Sequence, residues 1–247
     1  MTQVFRVINF FEFQENQLLL FSQEKNEGRF VEHTLQTSQP FFREELIEFI
    51  RKETQNEAPR VMYWFHPHFA IMPQSVFRSK DIAAYLELNF GANNTLSSPQ
   101  FDVIHAHQAV VAYSVPTWLQ EFKEQYFPLV ALKHVGGQLL NRSRNQVEDL
   151  VSIVLFENQF LLTITKKGVL QTCNCFSYQN EVDVAYYLLL HFQKLALASH
   201  AKCVLYAHST AINIEQFPSV CEAFAELNAV KWETKTKNQF LSTVLCV

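Results

Sequence analysis

A series of three strand-like segments, a helix and a buried strand occurs twice along the chain, and this repeat limits the possible folds more than any single motif does. Residues 15–20 match residues 157–162, and residues 61–66 match residues 203–208 at the same offset. A short match can arise by chance, but both pairs fall in the same element of the same series. We therefore interpret the repeat as an internal duplication.

The first unit begins with β-branched and aromatic residues separated by polar turns, a pattern typical of strands. Its predicted elements are strands over 4–13, 18–21 and 29–35, a helix between Pro40 and Pro59, and a strand over 61–65. That last strand reads Val-Met-Tyr-Trp-Phe, a continuous apolar run of the kind found in strands buried on both faces.

The second unit repeats the series after Asp149. Its predicted elements are strands over 150–156, 160–165 and 169–176, a helix from about 181 and a buried strand over 203–207. Asn180 is placed to cap the N-terminus of that helix, and Asp183 lies where the helix dipole favours negative charge. An apolar stripe runs through Val184, Leu188 and Phe192.

The repeat predicts two halves, at 1–147 and 148–247, with an insertion in the first over about 69–146. The insertion is predicted to hold a strand over 69–72, a helix near 80–89, strand-like residues over 101–113, a helix from Pro116, a strand over 129–134 and a polar hinge over 138–145. A helix near 220–227 and strands near 230–234 and 240–247 complete the second half.

Two tandem β-β-β-α-β units of this kind resemble the duplicated ribonuclease-H-like architecture of the actin-like ATPase superfamily, which implies an α/β fold. More specifically, the chain is similar to an uncharacterised bacterial family of unknown function that is assigned to this fold. Three segments carry that similarity: 69–77, 110–118 with its Val115-Pro116 pair, and 176–189. Their shared residues are aromatic and structural, so the resemblance implies a fold and leaves the activity unassigned.

The resemblance also implies where a nucleotide would bind, because actin-like ATPases hold phosphate and magnesium at an Asp-x-Gly turn in each opening hairpin. The corresponding turns here, 14–17 and 156–159, contain no glycine, and the whole chain has five. P-loop and dinucleotide glycine motifs are absent as well. We expect ordinary hairpin turns, no cofactor and no ATP hydrolysis, as in a pseudo-ATPase. The alternative is a divergent ATP and magnesium site, or a kinase, built from Glu15, Asn16, Glu157, Asn158, Gly136 and Gly137.

Two His-x-His pairs are the only metal candidates that stand out. On a strand, alternate residues face the same side, so His66 with His68 and His105 with His107 could together offer four imidazoles to zinc. No acidic residue or thiol accompanies them locally, and strand-end histidines bonded to backbone or water are the commoner case. We therefore predict no metal site.

Charge and cysteine usage restrict the possible partners and the cellular compartment of the protein. A net charge of −4 without a basic patch argues against nucleic acid as a partner. The five cysteines are odd in number and show no C-x-x-C pair, as in reduced cytosolic proteins. No signal peptide or membrane span is predicted, so we expect a cytoplasmic protein.

Aromatic residues give the only indication of a partner. The chain holds 23 phenylalanines, 8 tyrosines and 3 tryptophans, more than a small core needs. The group Trp118, Phe122, Tyr126 and Phe127 either packs in the core or forms a protein-binding patch. Because no G-x-S-x-G elbow or other nucleophile arrangement is present, we assign no catalytic residue and expect a protein-binding or scaffold module. The sequence leaves the oligomeric state open.

Overall fold

The computed structural model describes residues 7–12, 16–24, 27–55, 57–91, 97–143, 148–197, 201–208, 214–224, 226–227, 229–240 and 244. The chain divides into two compact units. One comprises Met1–Gln138 with Leu241–Val247, and the other comprises Leu139–Phe240. The limits predicted from the repeat, 1–147 and 148–247, stay a prediction.

The first unit contains eight described strands and four helices, the last of which runs into the second unit. The strands are β1 (Val7–Glu12), β2 (Asn16–Glu24), β3 (Glu27–Leu35), β4 (Val61–Phe65), β5 (Phe69–Pro73), β6 (Ser97–Ile104), β7 (Ala109–Pro116) and β8 (Ala131–His134). The helices are α1 (Phe42–Glu53), α2 (Ile82–Phe90), α3 (Thr117–Tyr126) and α4 (Val135–Arg142).

Five strands of the first unit form one sheet in the order β3-β2-β1-β4-β8. β1 pairs antiparallel with β2 and parallel with β4, and β8 adds parallel to β4. Met62, Tyr63, Trp64 and Phe65 of β4 are all buried, which confirms the prediction of a buried strand at this position. β4 is thus the apolar centre of the sheet.

The insertion forms a second, antiparallel sheet in the order β5-β7-β6. The strand-like stretch predicted over 101–113 is in fact two strands separated by a 3₁₀ turn over His105–His107. Gln108 ends that turn in the left-handed region, with φ of 49°. The chain can therefore reverse there and pair β6 with β7.

The second unit repeats the topology of the first. Its elements are β9 (Leu150–Leu155), β10 (Gln159–Lys166), β11 (Val169–Ser177), α5 (Glu181–Leu195), β12 (Lys202–Ala207), α6 (Phe217–Glu222), β13 (Lys231–Lys235) and α7 (Lys237–Phe240). The sheet order is β11-β10-β9-β12-β13, with β9 antiparallel to β10 and parallel to β12. The predicted duplication of a β-β-β-α-β unit is confirmed.

Helix α5 lies over the five-stranded sheet of the second unit and is fixed at both ends. Asn180 caps it as predicted, since its side chain accepts the N–H groups of Val182 and Asp183 at 3.0 and 3.2 Å. At the other end, Lys166 Nζ donates to the carbonyl oxygens of Leu195 and Ala196 at 2.6 and 3.0 Å. A cation bonded to the last carbonyls also complements the helix dipole.

Two further predicted segments differ in type from the structure. Residues 138–142 of the predicted polar hinge belong to helix α4, because Leu139 and Leu140 are buried and give that stretch an apolar face. Phe240, predicted to begin the last strand, ends helix α7 instead, while most of 241–247 lies outside the described residues. No helix among the described residues is long and apolar enough to cross a membrane.

Candidate functional site

The β9–β10 turn holds Glu157 and Asn158, two of the residues proposed for a nucleotide site. Its backbone is tied to neighbouring strands: Phe156 donates its N–H to the carbonyl of Gln159 at 2.8 Å, and the carbonyl of Asn158 accepts the N–H of Tyr178 at 3.0 Å. Glu157 is exposed. The turn therefore presents a carboxylate to solvent, a poor surface for a triphosphate.

In the first unit, Asn16 is not in the turn but is the first residue of β2, where it pairs with Glu12. Glu15 lies outside the described residues. The assignment of Glu15, Asn16, Glu157 and Asn158 to a nucleotide site stays a prediction.

Gly136 and Gly137, the two glycines of the alternative nucleotide site, lie in the first turn of helix α4. A Cβ at Gly136 would lie 3.0 Å from Nδ1 of His134. A Cβ at Gly137 would lie 3.3 Å from both Oδ2 of Asp102 and Cδ1 of Ile104. These glycines allow two side chains to approach the helix closely, so the space beside them is already filled.

Asp102 and His134 form a largely buried hydrogen-bonded network at the start of α4. Asp102 accepts the backbone N–H of His134 at 2.6 Å and the hydroxyl of Tyr113 at 3.3 Å. The ring of His134 accepts the N–H of Gly136 at 3.1 Å through Nδ1, and its Nε2 lies 3.2 Å from the carbonyl oxygen of His66. Because Nδ1 is an acceptor, the proton of the neutral ring is on Nε2, which donates to His66.

Burial sets the pKa values in this network. It raises the pKa of Asp102 from 3.8 to about 6, although the hydrogen bonds from His134 and Tyr113 lower it. It lowers the pKa of His134 to about 3, so this ring is neutral at physiological pH. Both ring nitrogens of His134 are hydrogen-bonded within the chain, so the network joins β6 and β7 to the β8–α4 junction.

The His-x-His pairs do not lie on strands, so the shared-face geometry predicted for them is wrong. His66 and His68 belong to the connection between β4 and β5, and His105 and His107 lie in the 3₁₀ turn after β6. His66 Nδ1 accepts the N–H of His68 at 3.1 Å, and the ring of His68 stacks on Phe90. No three histidine, cysteine or acidic side chains converge on one point within the described ranges.

The aromatic group on α3 is mostly core. Phe122 is fully buried, and Phe127 is nearly so. Trp118 packs edge-on against Phe42 with ring centroids 5.3 Å apart, while Arg51 lies over the ring of Tyr126. Of the two interpretations of this group, packing in the first unit is the one observed.

The largest run of exposed apolar side chains on one described element lies on α5. Val184, Ala185, Leu188 and Phe192 face the core of the second unit. On the opposite side, Val182, Tyr186 and Leu190 follow one another at four-residue spacing and are 56%, 54% and 40% exposed. We call these three residues the outer stripe of α5. The outer stripe was not predicted, although the four-residue spacing of these residues beside a second apolar face is visible in the sequence.

A pocket of about 470 Å³ adjoins the outer stripe at the N-terminal end of α5. Tyr186 belongs to both the stripe and the pocket, whose lining consists of Ser177, Tyr178, Gln179, Asp183, Tyr186 and Tyr187. Tyr187 rests on Phe176 with ring centroids 4.6 Å apart, and Tyr178 donates its hydroxyl to the carbonyl of Phe156. The pocket wall is thus aromatic, and it carries a carboxylate.

Comparison with known proteins agrees with this architecture. The family of proteins of unknown function designated DUF3822 matches residues 60–216. A crystal structure from Bacteroides thetaiotaomicron, of a protein with actin-like ATPase fold and unknown function, has a TM-score of 0.71 at 13% identity and covers 94% of this chain and 91% of its own. The PilM–PilN type IV pilus biogenesis complex gives a TM-score of 0.59 at 8% identity and covers 98% and 96%. Among curated proteins, none matches.

These likenesses show the fold. Together with the repeated sheet order, they establish that the chain has the actin-like ATPase fold predicted from the duplication. The aromatic and apolar segments that suggested a family of unknown function lie within the matched residues 60–216, and that recognition is also confirmed.

The largely buried carboxyl of Asp102 predicts a pH-dependent stability difference between wild type and Asp102→Asn. Because the folded state holds this proton up to about pH 6 and the unfolded state releases it near 3.8, the wild type loses stability relative to the variant as the pH rises from 4 to 7. We expect a relative loss on the order of 1–3 kcal/mol, measured by urea unfolding at each pH. The exposed Asp81→Asn variant is the control for removing a surface charge. A constant difference between wild type and Asp102→Asn across that range would contradict the prediction.

Proposed function

This chain belongs to the DUF3822 family of proteins of unknown function, and from that premise we propose that it is a cytosolic protein-binding module that does not hydrolyse ATP. The observation that carries the proposal is the outer stripe of α5. A helix that is apolar on both sides is normally enclosed on both sides, yet among the described residues only the inner face of α5 is packed. A partner protein would complete that enclosure.

The stripe suits a docking function because it is preformed. The helix is capped at Asn180 and held at its end by Lys166, so its backbone is already in place without a partner. Covering three partly exposed apolar side chains contributes on the order of 3–5 kcal/mol before the costs of association. That is enough for a specific contact of moderate affinity with a helix or an extended segment.

The polar residues around the β9–β10 turn and α4 support the proposal that the chain does not hydrolyse ATP. A phosphate site of this fold needs backbone N–H groups at a glycine turn and an acid that holds magnesium. The β9–β10 turn offers an exposed Glu157, while Asp102 and His134 occupy the space beside Gly136 and Gly137. The structurally similar PilM, solved in its complex with PilN, is an example of this fold in a protein assembly.

Replacement of a stripe residue tests the docking surface. Peptides selected from a random display library on the wild-type chain should bind Leu190→Glu about 10- to 100-fold more weakly, because a charge replaces a buried contact of a few kcal/mol. Affinities are measured by fluorescence polarisation. The matched control is Leu88→Glu on α2, where the leucine is exposed but lies outside the stripe. Selected peptides that bind both variants like the wild type would refute the docking role of α5.

Calorimetric titration tests the absence of ATP chemistry. We expect no saturable binding of ATP with magnesium up to millimolar concentration, since neither turn provides a glycine for phosphate. The divergent ATP-binding alternative predicts the opposite result, namely micromolar binding that is lost on Glu15→Ala or Glu157→Ala. Observation of that pattern would replace the present proposal.

A further inference from the structure

The pocket at the N-terminal end of α5 is surrounded by carboxylates. Asp183 lies in its wall, and Glu157 and Glu181 lie close enough to raise the pKa of Tyr178, which burial already raises, to about 12. Within the described ranges, no lysine or arginine forms an ion pair with any of the three carboxylates. A partner that docks on the outer stripe therefore meets a negative pocket beside it.

The geometry of Asp183 leaves an acceptor free. Its Oδ2 is committed to the capping box, where it accepts the N–H groups of Gln179 and Asn180 at 2.8 and 3.3 Å. No described hydrogen bond uses Oδ1. The carboxylate is thus held in one orientation with one oxygen available for a donor from outside the chain.

Aromatic rings complete the pocket. The rings of Tyr186 and Tyr187 lie edge to face with centroids 6.2 Å apart, and Tyr186 is half exposed. An exposed tyrosine face next to a carboxylate suits a guanidinium, which can stack on the ring and donate hydrogen bonds in its own plane. An ammonium would use the charge but not the planar stacking.

Resting on the docking function proposed above, we infer that the partner of α5 is a basic amphipathic segment whose aliphatic side chains cover Val182, Tyr186 and Leu190 and whose arginine enters the pocket beside Asp183. The outer stripe spans about 12 Å along the helix axis, or two turns, so the arginine and the apolar residues fit on a single short helix of the partner. Negative charge at one end and apolar surface at the other give the contact a defined direction.

The inference is tested with a pair of defined peptides that differ in a single positive charge. A fluorescein-labelled amphipathic helical peptide carries leucines at four-residue spacing and one arginine a turn before the first leucine, and a second peptide carries citrulline in its place. Citrulline has almost the shape of arginine but no charge. We expect the citrulline peptide to bind the wild-type chain about tenfold more weakly, a change that corresponds to about 1.4 kcal/mol.

Variants of the chain locate the effect. In the double variant Glu157→Gln/Glu181→Gln, which keeps Asp183 because that residue caps α5, the preference for arginine over citrulline should fall to about threefold or less, since two of the three carboxylates that favour the cation are gone. Glu87→Gln on α2, an exposed glutamate in the other unit, is the matched control and should keep the full preference. Equal melting temperatures of all variants show that the fold is intact.

The outcomes separate this inference from the docking function. If both peptides bind equally and lose affinity on Leu190→Glu, α5 is a docking surface without arginine recognition, and the inference is wrong. If arginine is preferred equally by the double variant and the wild type, the pocket is not its site, and the inference again fails. If neither peptide binds, or binding ignores Leu190→Glu, both the inference and the docking function are wrong.

Discussion

A helix can bury only one of its faces on a sheet, and α5 has two apolar faces. The inner face, through Val184, Leu188 and Phe192, is enclosed by the sheet β11-β10-β9-β12-β13. The outer face is left to solvent by the described chain. Because the removal of apolar surface from water is favourable, the outer face of α5 is suited to packing against a further layer of protein structure. The candidate site is a direct consequence of that geometry.

Two of the five glycines in this protein, Gly136 and Gly137, are required by close packing. The side chains of Asp102 and His134 approach the first turn of α4 so closely that only residues without a Cβ fit at 136 and 137. A buried carboxylate is costly unless it is hydrogen-bonded, and Asp102 meets that requirement through His134 and Tyr113. The glycine pair thus serves a polar network that joins the inserted sheet to the helix, which is why its presence in the sequence is weak support for a phosphate site.

Much of the fold could be predicted from the sequence, because its signals are local. The buried strand at 61–65 and the cap at Asn180 follow from apolar runs and capping chemistry, and the duplication placed them in equivalent units. Other features depend on tertiary context. The reversal at Gln108, the helical state of Gly136-Gly137 and the pairing of Asp102 with His134, 32 positions apart, are decided by packing between segments that sequence spacing does not relate. The four-residue spacing of the outer stripe is visible in the sequence, but the solvent exposure of its side chains could not be predicted from it.

Hydroxyl-radical footprinting of the chain bound to a selected peptide tests the central claim most directly, because it maps the contact surface without any substitution. The account predicts that Tyr186 and Leu190 lose most of their labelling in the complex, while Leu88, which is more exposed than either, is labelled as in the free chain. Unchanged labelling of Tyr186 and Leu190, with protection at another surface, would show that α5 is not where this protein binds its partner.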